Sequence, residues 1–320
     1  MDDRDIIIPE TISDAAKQAL QELAAAQIYK TVMPKLDDED AWRAVSNLYD
    51  DSQKEAAQAA LNNTGVGVTE TTLADIPVLD IRPPGWTDNG RVLLYVHGGA
   101  YVVNSARSSL MLSAPMSVTS GLRTISVDYT LAPFANWRVM QDQVIAVFEG
   151  LLAQGIEARN IAMLGESAGG GLLTSSILTL RDRGVGVPAC VALWSPWVDL
   201  SNTGDTYQTL AEADPMLSYT TLGDAAVAYA DGLELRDPRI SPVYASFDKG
   251  FPPTLIQVGT KEIFLSEAVR LYQKLDAVGQ TTKLDVFEGM WHVFQMQSSP
   301  EADLAMAKSA KFISEQFSSS

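Results

Sequence analysis

The sequence contains few of the residues that form disulfides, metal sites and membrane spans. It has one cysteine in 320 residues, so no disulfide can form within the chain. It has two histidines, and no cluster of histidine and cysteine has the spacing of zinc ligands. No run of about 18 apolar residues is present, so no membrane-spanning helix is predicted. The thiol of Cys190 lies in the apolar run 189–193 and is interpreted as a small core residue.

Positive charge is also scarce. The chain has 23 lysines and arginines against 40 aspartates and glutamates, a formal net charge of −17. Such a field repels nucleic-acid phosphates and polyanionic substrates, so a small neutral ligand fits better and no nucleic-acid partner is expected. The acidic start, residues 1–5, lacks the basic region of a secretory signal, which favours a cytoplasmic location.

What the sequence does contain begins with a helical region over residues 1–64. Ser13 and Asp14 can cap a helix whose apolar residues recur at helical spacing as far as Ile28. The acidic run 37–40 precedes a second apolar pattern. We interpret this run as carboxylates at a helix N-terminus and not as metal ligands, because they complement the helix dipole.

From about residue 66 apolar strands alternate with amphipathic helices. This pattern predicts an α/β fold with a mainly parallel sheet covered by helices on both faces. The predicted strands are 78–82, 92–96, 124–127, 161–164, 191–194, 254–258 and 283–287. The predicted helices are 109–120, 140–154, 172–180, 266–278 and 300–317. The stretch 201–250 breaks the rhythm, and we interpret it as an insertion with one helix near 222–229.

The chemistry centres on the segment 161–171, where a buried strand runs into Gly-x-Ser-x-Gly and then into a helix. This is the context of a nucleophile elbow, which presents the Ser167 hydroxyl at the edge of a sheet. The turn leaves no room for side chains beside the serine, so Gly165 and Gly169 are required. Ser167 is therefore the predicted nucleophile.

A glycine turn follows an earlier strand at Gly98 and Gly99. Glycines in that place let backbone amides face a reacting centre. The amides of Gly98, Gly99, Ala100 and Ala168 are therefore the predicted donors of an oxyanion hole. The alternative is an ordinary strand-to-helix turn.

A general base and a carboxylate complete the predicted site. His292 follows the last strand, whereas His97, the other histidine, lies in the loop that supplies amides. Glu262 follows the preceding strand and is the predicted acid, with Glu267 in reserve because it falls inside the next helix. The chain order Ser167, Glu262, His292 is that of an α/β-hydrolase triad.

At this point the sequence resembles the hormone-sensitive-lipase-like (family IV) bacterial carboxylesterases of the α/β-hydrolase fold. The resemblance covers most of the chain from about residue 78. The matching segments are His97-Gly98-Gly99, Asp128-Tyr129-Thr130-Leu131-Ala132-Pro133, Gly165-Glu166-Ser167-Ala168-Gly169, Ser195-Pro196-Trp197-Val198-Asp199-Leu200, Asp237-Pro238 with Ser241-Pro242, and His292-Val293-Phe294.

The resemblance implies a serine esterase of short-to-medium acyl esters that needs no metal or cofactor, with a helical cap and a homodimer formed through an edge strand. The implied parts are 1–64 and 201–250 for the cap, and 65–200 and 251–320 for the catalytic core. It also implies that His97 braces the oxyanion loop and is not catalytic. The chain departs from the family pattern at Ala100, Phe134, Glu166 and Glu262, where glycine, an acidic residue, aspartate and aspartate are usual.

Some alternatives remain open from the sequence. An amidase or lactonase uses the same triad, and a ligand receptor can be built on the same fold. The aromatic residues Tyr101, Trp197, Tyr219 and Trp291 either line a substrate pocket or belong to the core, as large aromatic residues more often do.

Overall fold

The protein, described here by a computed structural model, is built around one sheet of eight strands. The structure describes residues 4 and 6–319. The strands are β1 (Gly67–Leu73), β2 (Ile76–Arg82), β3 (Val92–Val96), β4 (Arg123–Val127), β5 (Ile161–Glu166), β6 (Cys190–Trp194), β7 (Thr254–Gly259) and β8 (Thr282–Phe287). Their order across the sheet is β1-β2-β4-β3-β5-β6-β7-β8. The β1–β2 and β2–β4 pairs are antiparallel and all the others are parallel.

The helices flank this sheet and connect its strands. They are α1 (Asp14–Ala26), α2 (Glu39–Thr64), α3 (Leu110–Ser120), α4 (Trp137–Ala153), α5 (Ala168–Arg183), α6 (Thr206–Thr209), α7 (Tyr219–Ala230), α8 (Leu265–Ala277) and α9 (Pro300–Ser319). The predicted α/β architecture with a mainly parallel sheet is confirmed, and so are the seven predicted strands to within a few residues. Cys190 is fully buried on β6, as predicted for a core residue.

The strand β1 was not among the sequence predictions. Most of its residues are exposed at the edge of the sheet, and only Leu73 is buried. A strand that buries so little has no alternation of apolar and polar residues by which a sequence could reveal it. Its place is fixed by pairing with β2 from Gly67↔Arg82 to Leu73↔Ile76.

The parallel register brings four chain segments to one edge of the sheet. Gly165, near the end of β5, pairs with Leu193 of β6. Trp194 at the end of β6 pairs with Gln257, and Gly259 at the end of β7 pairs with Phe287 of β8. The loops that follow β5, β6, β7 and β8 therefore leave the sheet side by side, although they are far apart in sequence.

The N-terminal helices pack on the body in two places. Residues of α1 cluster with the loop after β8 and with α9. The long helix α2 packs on α3, and the guanidinium of Arg43 lies 4.0 Å from the ring centroid of Phe134. The Asp38 carboxylate accepts a hydrogen bond from the amide of Ala41 at 3.0 Å, so the acidic run caps a helix, as interpreted from the sequence.

Hydrogen bonds join the N-terminal region to the segment 201–250. Thr221 Oγ1 of α7 donates to the carbonyl of Thr31 at 2.7 Å, and the Arg4 guanidinium donates to the carbonyl of Leu217 at 2.8 Å. None of the helices in the described part of the chain is long and apolar enough to cross a membrane. Four of the five N-terminal residues on which the absence of a secretory signal was predicted, 1–3 and 5, lie outside the described residues.

Candidate active site

Ser167 stands at the turn between β5 and α5. Its backbone is in an unusual conformation, with φ of 55° and ψ of −124°, as a strained elbow requires. A Cβ atom at Gly169 would lie 2.2 Å from the carbonyl oxygen of Val96, and one at Gly165 would lie 2.7 Å from the carbonyl oxygen of Gly169. Glycine at both positions is therefore required by close backbone contact, as the sequence indicated.

The structure brings Ser167, His292 and Glu262 into one hydrogen-bonded chain. Ser167 Oγ lies 2.9 Å from His292 Nε2, and His292 Nδ1 lies 3.1 Å from Glu262 Oε2. Because a carboxylate only accepts hydrogen bonds, the neutral imidazole carries its proton on Nδ1 and accepts from the serine through Nε2. All three side chains are buried, with 7% of Ser167, 5% of His292 and none of Glu262 exposed. The edge of the Phe264 ring contacts the imidazole, with 5.0 Å between centroids.

Further donors surround the carboxylate of Glu262. Its Oε1 accepts from the amide of Gly259 at 2.6 Å and from the Ser195 hydroxyl at 2.9 Å. The reserve candidate, Glu267, lies in α8 as predicted, and its carboxylate is used elsewhere. It accepts from the amides of Val198 at 2.5 Å and Asp199 at 2.6 Å.

Three of the four predicted oxyanion donors have unpartnered amides. Among the hydrogen bonds of the described residues, none uses the amide of Gly99, Ala100 or Ala168. The amide of Gly98 instead donates to the Glu166 carboxylate, so the structure corrects the prediction for this residue. Ala100 has a φ of 52°, a left-handed conformation that glycine adopts at lower cost, which accounts for the usual glycine there.

Glu166, the residue before Ser167, is a buried carboxyl group. It accepts hydrogen bonds from the amide of Gly98 and, at 3.4 Å, from the Tyr95 hydroxyl. Burial raises the pKa of Glu166 from 4.5 to about 7, although the Gly98 bond, the charge of His292 and the Tyr95 bond act in the opposite direction. The folded protein therefore holds this proton more tightly than the unfolded chain does.

Replacing Glu166 by glutamine should weaken the pH dependence of stability. In the wild type this carboxyl is protonated below pH 4.5 and does not lower the free energy of unfolding there. As the pH rises from 4.5 to 7 the free energy of unfolding falls, and the total loss above pH 7 is on the order of 3 kcal/mol. Glutamine removes the titration and still accepts from the Gly98 amide. We expect the loss of unfolding free energy between pH 5 and 8, measured with urea, to shrink by about that amount.

The matched control for this experiment is Glu149→Gln, which removes one exposed carboxylate from α4. It reports the effect of the change in net charge alone. Equal pH dependence in Glu166→Gln and the wild type would contradict the assignment of a raised pKa to Glu166.

His97 precedes the loop 98–100 and is fully buried. Its Nδ1 is 2.8 Å from the carbonyl of Gly98, and its ring stacks on Tyr129 with centroids 4.2 Å apart. The Tyr129 hydroxyl donates to the His97 carbonyl at 2.8 Å. Burial lowers the pKa of His97, so the ring is neutral and Nδ1 donates. These contacts are those of a brace for the loop, as the resemblance implied.

Three of the four aromatic residues singled out in the sequence are fully buried, and Tyr219 is 61% exposed. The Tyr101 ring stacks on Tyr229 of α7 at 3.7 Å and on Trp197 at 5.5 Å between centroids. Trp197 in turn stacks on Phe264, the ring beside His292. Tyr101 and Trp197 therefore belong to a buried aromatic stack, whereas Trp291 is buried in a separate cluster with residues of α1 and α9.

Sequence reasoning missed two residues of this region. One is Ser195, whose hydroxyl reaches Glu262. The other is Asp214, a buried carboxyl that accepts from the amide of Ile263 at 2.9 Å, next to Glu262, and from two amides of its own loop. Burial raises the pKa of Asp214 to about 6. Ser195 was noted only as part of a segment that matches the family, with no role assigned, and the only signal of Asp214 was an acid before a proline.

Comparisons with known proteins show which family this chain is similar to. A family model described as α/β hydrolase fold matches residues 93–296. An acetyl-hydrolase of Streptomyces hygroscopicus is 31% identical over 74% of this chain and 79% of its own. An ethyl acetate hydrolase of Pseudomonas putida is 30% identical over 71% of this chain and 74% of its own. A crystal structure of an esterase from the bacterial hormone-sensitive lipase family superposes with a TM-score of 0.83 at 30% identity, covering 95% of this chain and 99% of that one.

Proposed function

Because the chain belongs to the hormone-sensitive-lipase-like esterases of the α/β-hydrolase fold and is a carboxylic ester hydrolase, we propose that it cleaves short-to-medium acyl esters through an acyl-enzyme on Ser167. The observation that carries this proposal is the continuous hydrogen-bonded chain from Ser167 Oγ through His292 to Glu262. No metal or cofactor takes part in the proposed reaction.

In this mechanism His292 Nε2 takes the proton of Ser167 as the serine oxygen attacks the ester carbonyl. Glu262 keeps the imidazole in the required tautomer and stabilises its cation. The imidazolium then protonates the leaving alcohol, and an acyl group remains on the serine oxygen. Water, deprotonated by His292, attacks the acyl-enzyme and releases the acid by the same steps in reverse.

The tetrahedral intermediate carries a negative charge on the former carbonyl oxygen. We assign its binding to the amides of Gly99, Ala100 and Ala168, which have no other hydrogen-bond partner among the described residues. Amides held in place before the reaction stabilise this oxygen at no cost in reorganisation, about 3 kcal/mol for one donor. The hydrogen bond from the Gly98 amide to the Glu166 carboxylate holds the start of the loop 98–100 in place.

We place the preference at the short end of the acyl range. The ring next to the imidazole, Phe264, continues into the fully buried stack of Trp197, Tyr101 and Tyr229. A Cβ atom at Gly171, one turn beyond the serine, would already lie 2.7 Å from the Tyr101 hydroxyl. The names of two relatives, acetyl-hydrolase and ethyl acetate hydrolase, agree with small acyl groups. The net charge of −17 favours neutral or cationic esters.

A series of p-nitrophenyl esters from acetyl to decanoyl tests this proposal. We expect kcat/KM to be highest for acetyl or butyryl and at least about tenfold lower for decanoyl, because each excess methylene must displace packed side chains. Rapid mixing should give a burst of p-nitrophenolate equal to the enzyme concentration, with an acyl group found on the peptide that contains Ser167.

Other results would change the assignment. A matched anilide cleaved as fast as its ester would make the protein an amidase, and binding of esters without turnover would make it a receptor.

Residues 1–64 and 201–250 are proposed as the cap, which the contacts of Thr31 with Thr221 and of Arg4 with Leu217 support. A homodimer through the edge strand β8 also remains a proposal, for which gel filtration with light scattering is the test.

A further inference from the structure

Ser195 follows β6 and is the first residue of the loop beside the nucleophile. It is fully buried, and its φ of 46° is left-handed, a conformation that is rare for residues other than glycine. Its amide donates to the carbonyl of Gln257 at 2.7 Å, which extends the pairing of β6 with β7 by one residue. The backbone of Ser195 is therefore fixed by the sheet, and the direction of its side chain is fixed with it.

The residues on both sides of Ser195 hold the nucleophile by its backbone. The amide of Ser167 donates to the carbonyl of Trp194 at 2.9 Å, and the amide of Trp197 donates to the carbonyl of Ser167 at 2.9 Å. The segment 194–197 is thus hydrogen-bonded to both the backbone N–H and the backbone C=O of Ser167. Any displacement of this segment moves the nucleophile with it.

The Ser195 hydroxyl bonds to Glu262 and to the residue that follows His292. Its Oγ donates to Glu262 Oε1 at 2.9 Å and accepts from the amide of Val293 at 3.0 Å. Val293 is the residue directly after His292, and its φ of 48° is also left-handed. A hydroxyl has one proton to donate and lone pairs with which to accept. The Ser195 hydroxyl therefore uses its proton on Glu262 and a lone pair on the loop of His292.

We propose that Ser195 is a positioning residue that holds the three triad loops in register through its hydroxyl. This inference rests on the proposed function of the triad. The loops of Ser195, Glu262 and His292 come from three neighbouring strands, and the sheet alone fixes only where each loop begins. The two hydrogen bonds of the Ser195 hydroxyl fix the positions of the Glu262 carboxylate and of the loop of His292 relative to the segment 194–197, which is hydrogen-bonded to the backbone of Ser167.

The experiment compares Ser195→Ala with Ser195→Gly and with Ser126→Ala. Ser126 is a buried serine of β4 whose hydroxyl has no hydrogen-bond partner, so its replacement controls for loss of a buried hydroxyl. The active-site concentration of each variant is titrated first, so that kcat refers to folded enzyme alone. Thermal unfolding is followed in the same samples.

For Ser195→Ala we expect kcat per titrated site to fall about 10- to 100-fold with KM nearly unchanged, the usual effect of losing a group that orients another. Inactivation by a small uncharged phosphonate, which needs only an activated Ser167, should slow by the same factor. Ser195→Gly should be as slow as Ser195→Ala, although it relieves the left-handed backbone. Ser126→Ala should retain the wild-type kcat.

Other results would overturn the inference. A kcat of Ser195→Ala within twofold of the wild type removes the positioning role. A wild-type kcat in Ser195→Gly combined with a slow Ser195→Ala assigns the effect to backbone strain and not to the hydroxyl. Ser167→Ala is measured alongside. Full activity in that variant defeats the proposed triad, whereas an inactive Ser167→Ala with a fully active Ser195→Ala defeats this inference alone.

Discussion

Replacing Ser167 by alanine should lower kcat for p-nitrophenyl acetate by about 10⁵- to 10⁶-fold, because no acyl-enzyme can form without the serine oxygen. The remaining activity would come from the oxyanion amides acting on a direct attack by water. The measurement is the steady-state rate, combined with the loss of the initial burst of p-nitrophenolate.

Ser126→Ala is the matched control for this loss, since it removes a hydroxyl from a buried serine on another strand. Its kcat should equal that of the wild type. Both variants should unfold at temperatures close to the wild type, because one hydroxyl is lost in each. If Ser167→Ala kept more than about one hundredth of the wild-type rate, the nucleophile would have to be sought elsewhere.

Replacing Glu262 by glutamine should lower kcat by about 10⁴-fold, although the side chain keeps its shape. The reason lies in the surroundings of the two oxygens. Oε1 accepts from the amide of Gly259 and from the Ser195 hydroxyl, so the glutamine carbonyl takes that place. The amide nitrogen then faces His292 Nδ1 and donates to it, which forces the imidazole proton onto Nε2. An imidazole in that tautomer cannot accept the proton of Ser167.

Glu262→Asp separates charge from reach. It keeps a carboxylate but shortens the side chain by one methylene, so we expect a smaller loss, about 10- to 100-fold. Measured by kcat with KM alongside, the order wild type, Glu262→Asp, Glu262→Gln is the expected one. Equal activity of Glu262→Gln and the wild type would remove Glu262 from the triad and require another acid.

Much of the fold could be predicted because its central strands, β3 to β7, are buried on both faces. Strands such as β3 and β5 are continuous apolar runs that end in glycine turns, and these features are local. The edge strand β1 has neither feature and was missed. Six of the seven predicted strands, all except β2, nevertheless run parallel to one another, so the loops at their C-terminal ends leave from one edge of the sheet.

The candidate site, like the fold, could be predicted only in part. The elbow around Ser167 could be recognised because its glycines and serine form one contiguous motif between a strand and a helix, although the contact that requires Gly169, with Val96, is distant in sequence. Glu262 was chosen over Glu267 because it was expected to precede the next helix, whereas Glu267 was expected to lie within it. The helix α8 begins at Leu265, so both residues have the positions predicted for them. The partner of the Gly98 amide could not be foreseen, because Glu166 lies 68 residues away along the chain.

The sequence by itself determined the strand order along the chain, the elbow, and the succession of serine, acid and histidine, because short-range sterics and apolar periodicity are written into neighbouring residues. Only the tertiary structure decided which groups meet: Ser195 with Glu262, Asp214 with Ile263, and Gly98 with Glu166. These contacts depend on sheet register and loop packing between residues distant in sequence. A hydrogen bond of this kind needs both partners within about 3 Å, and no local pattern specifies that distance.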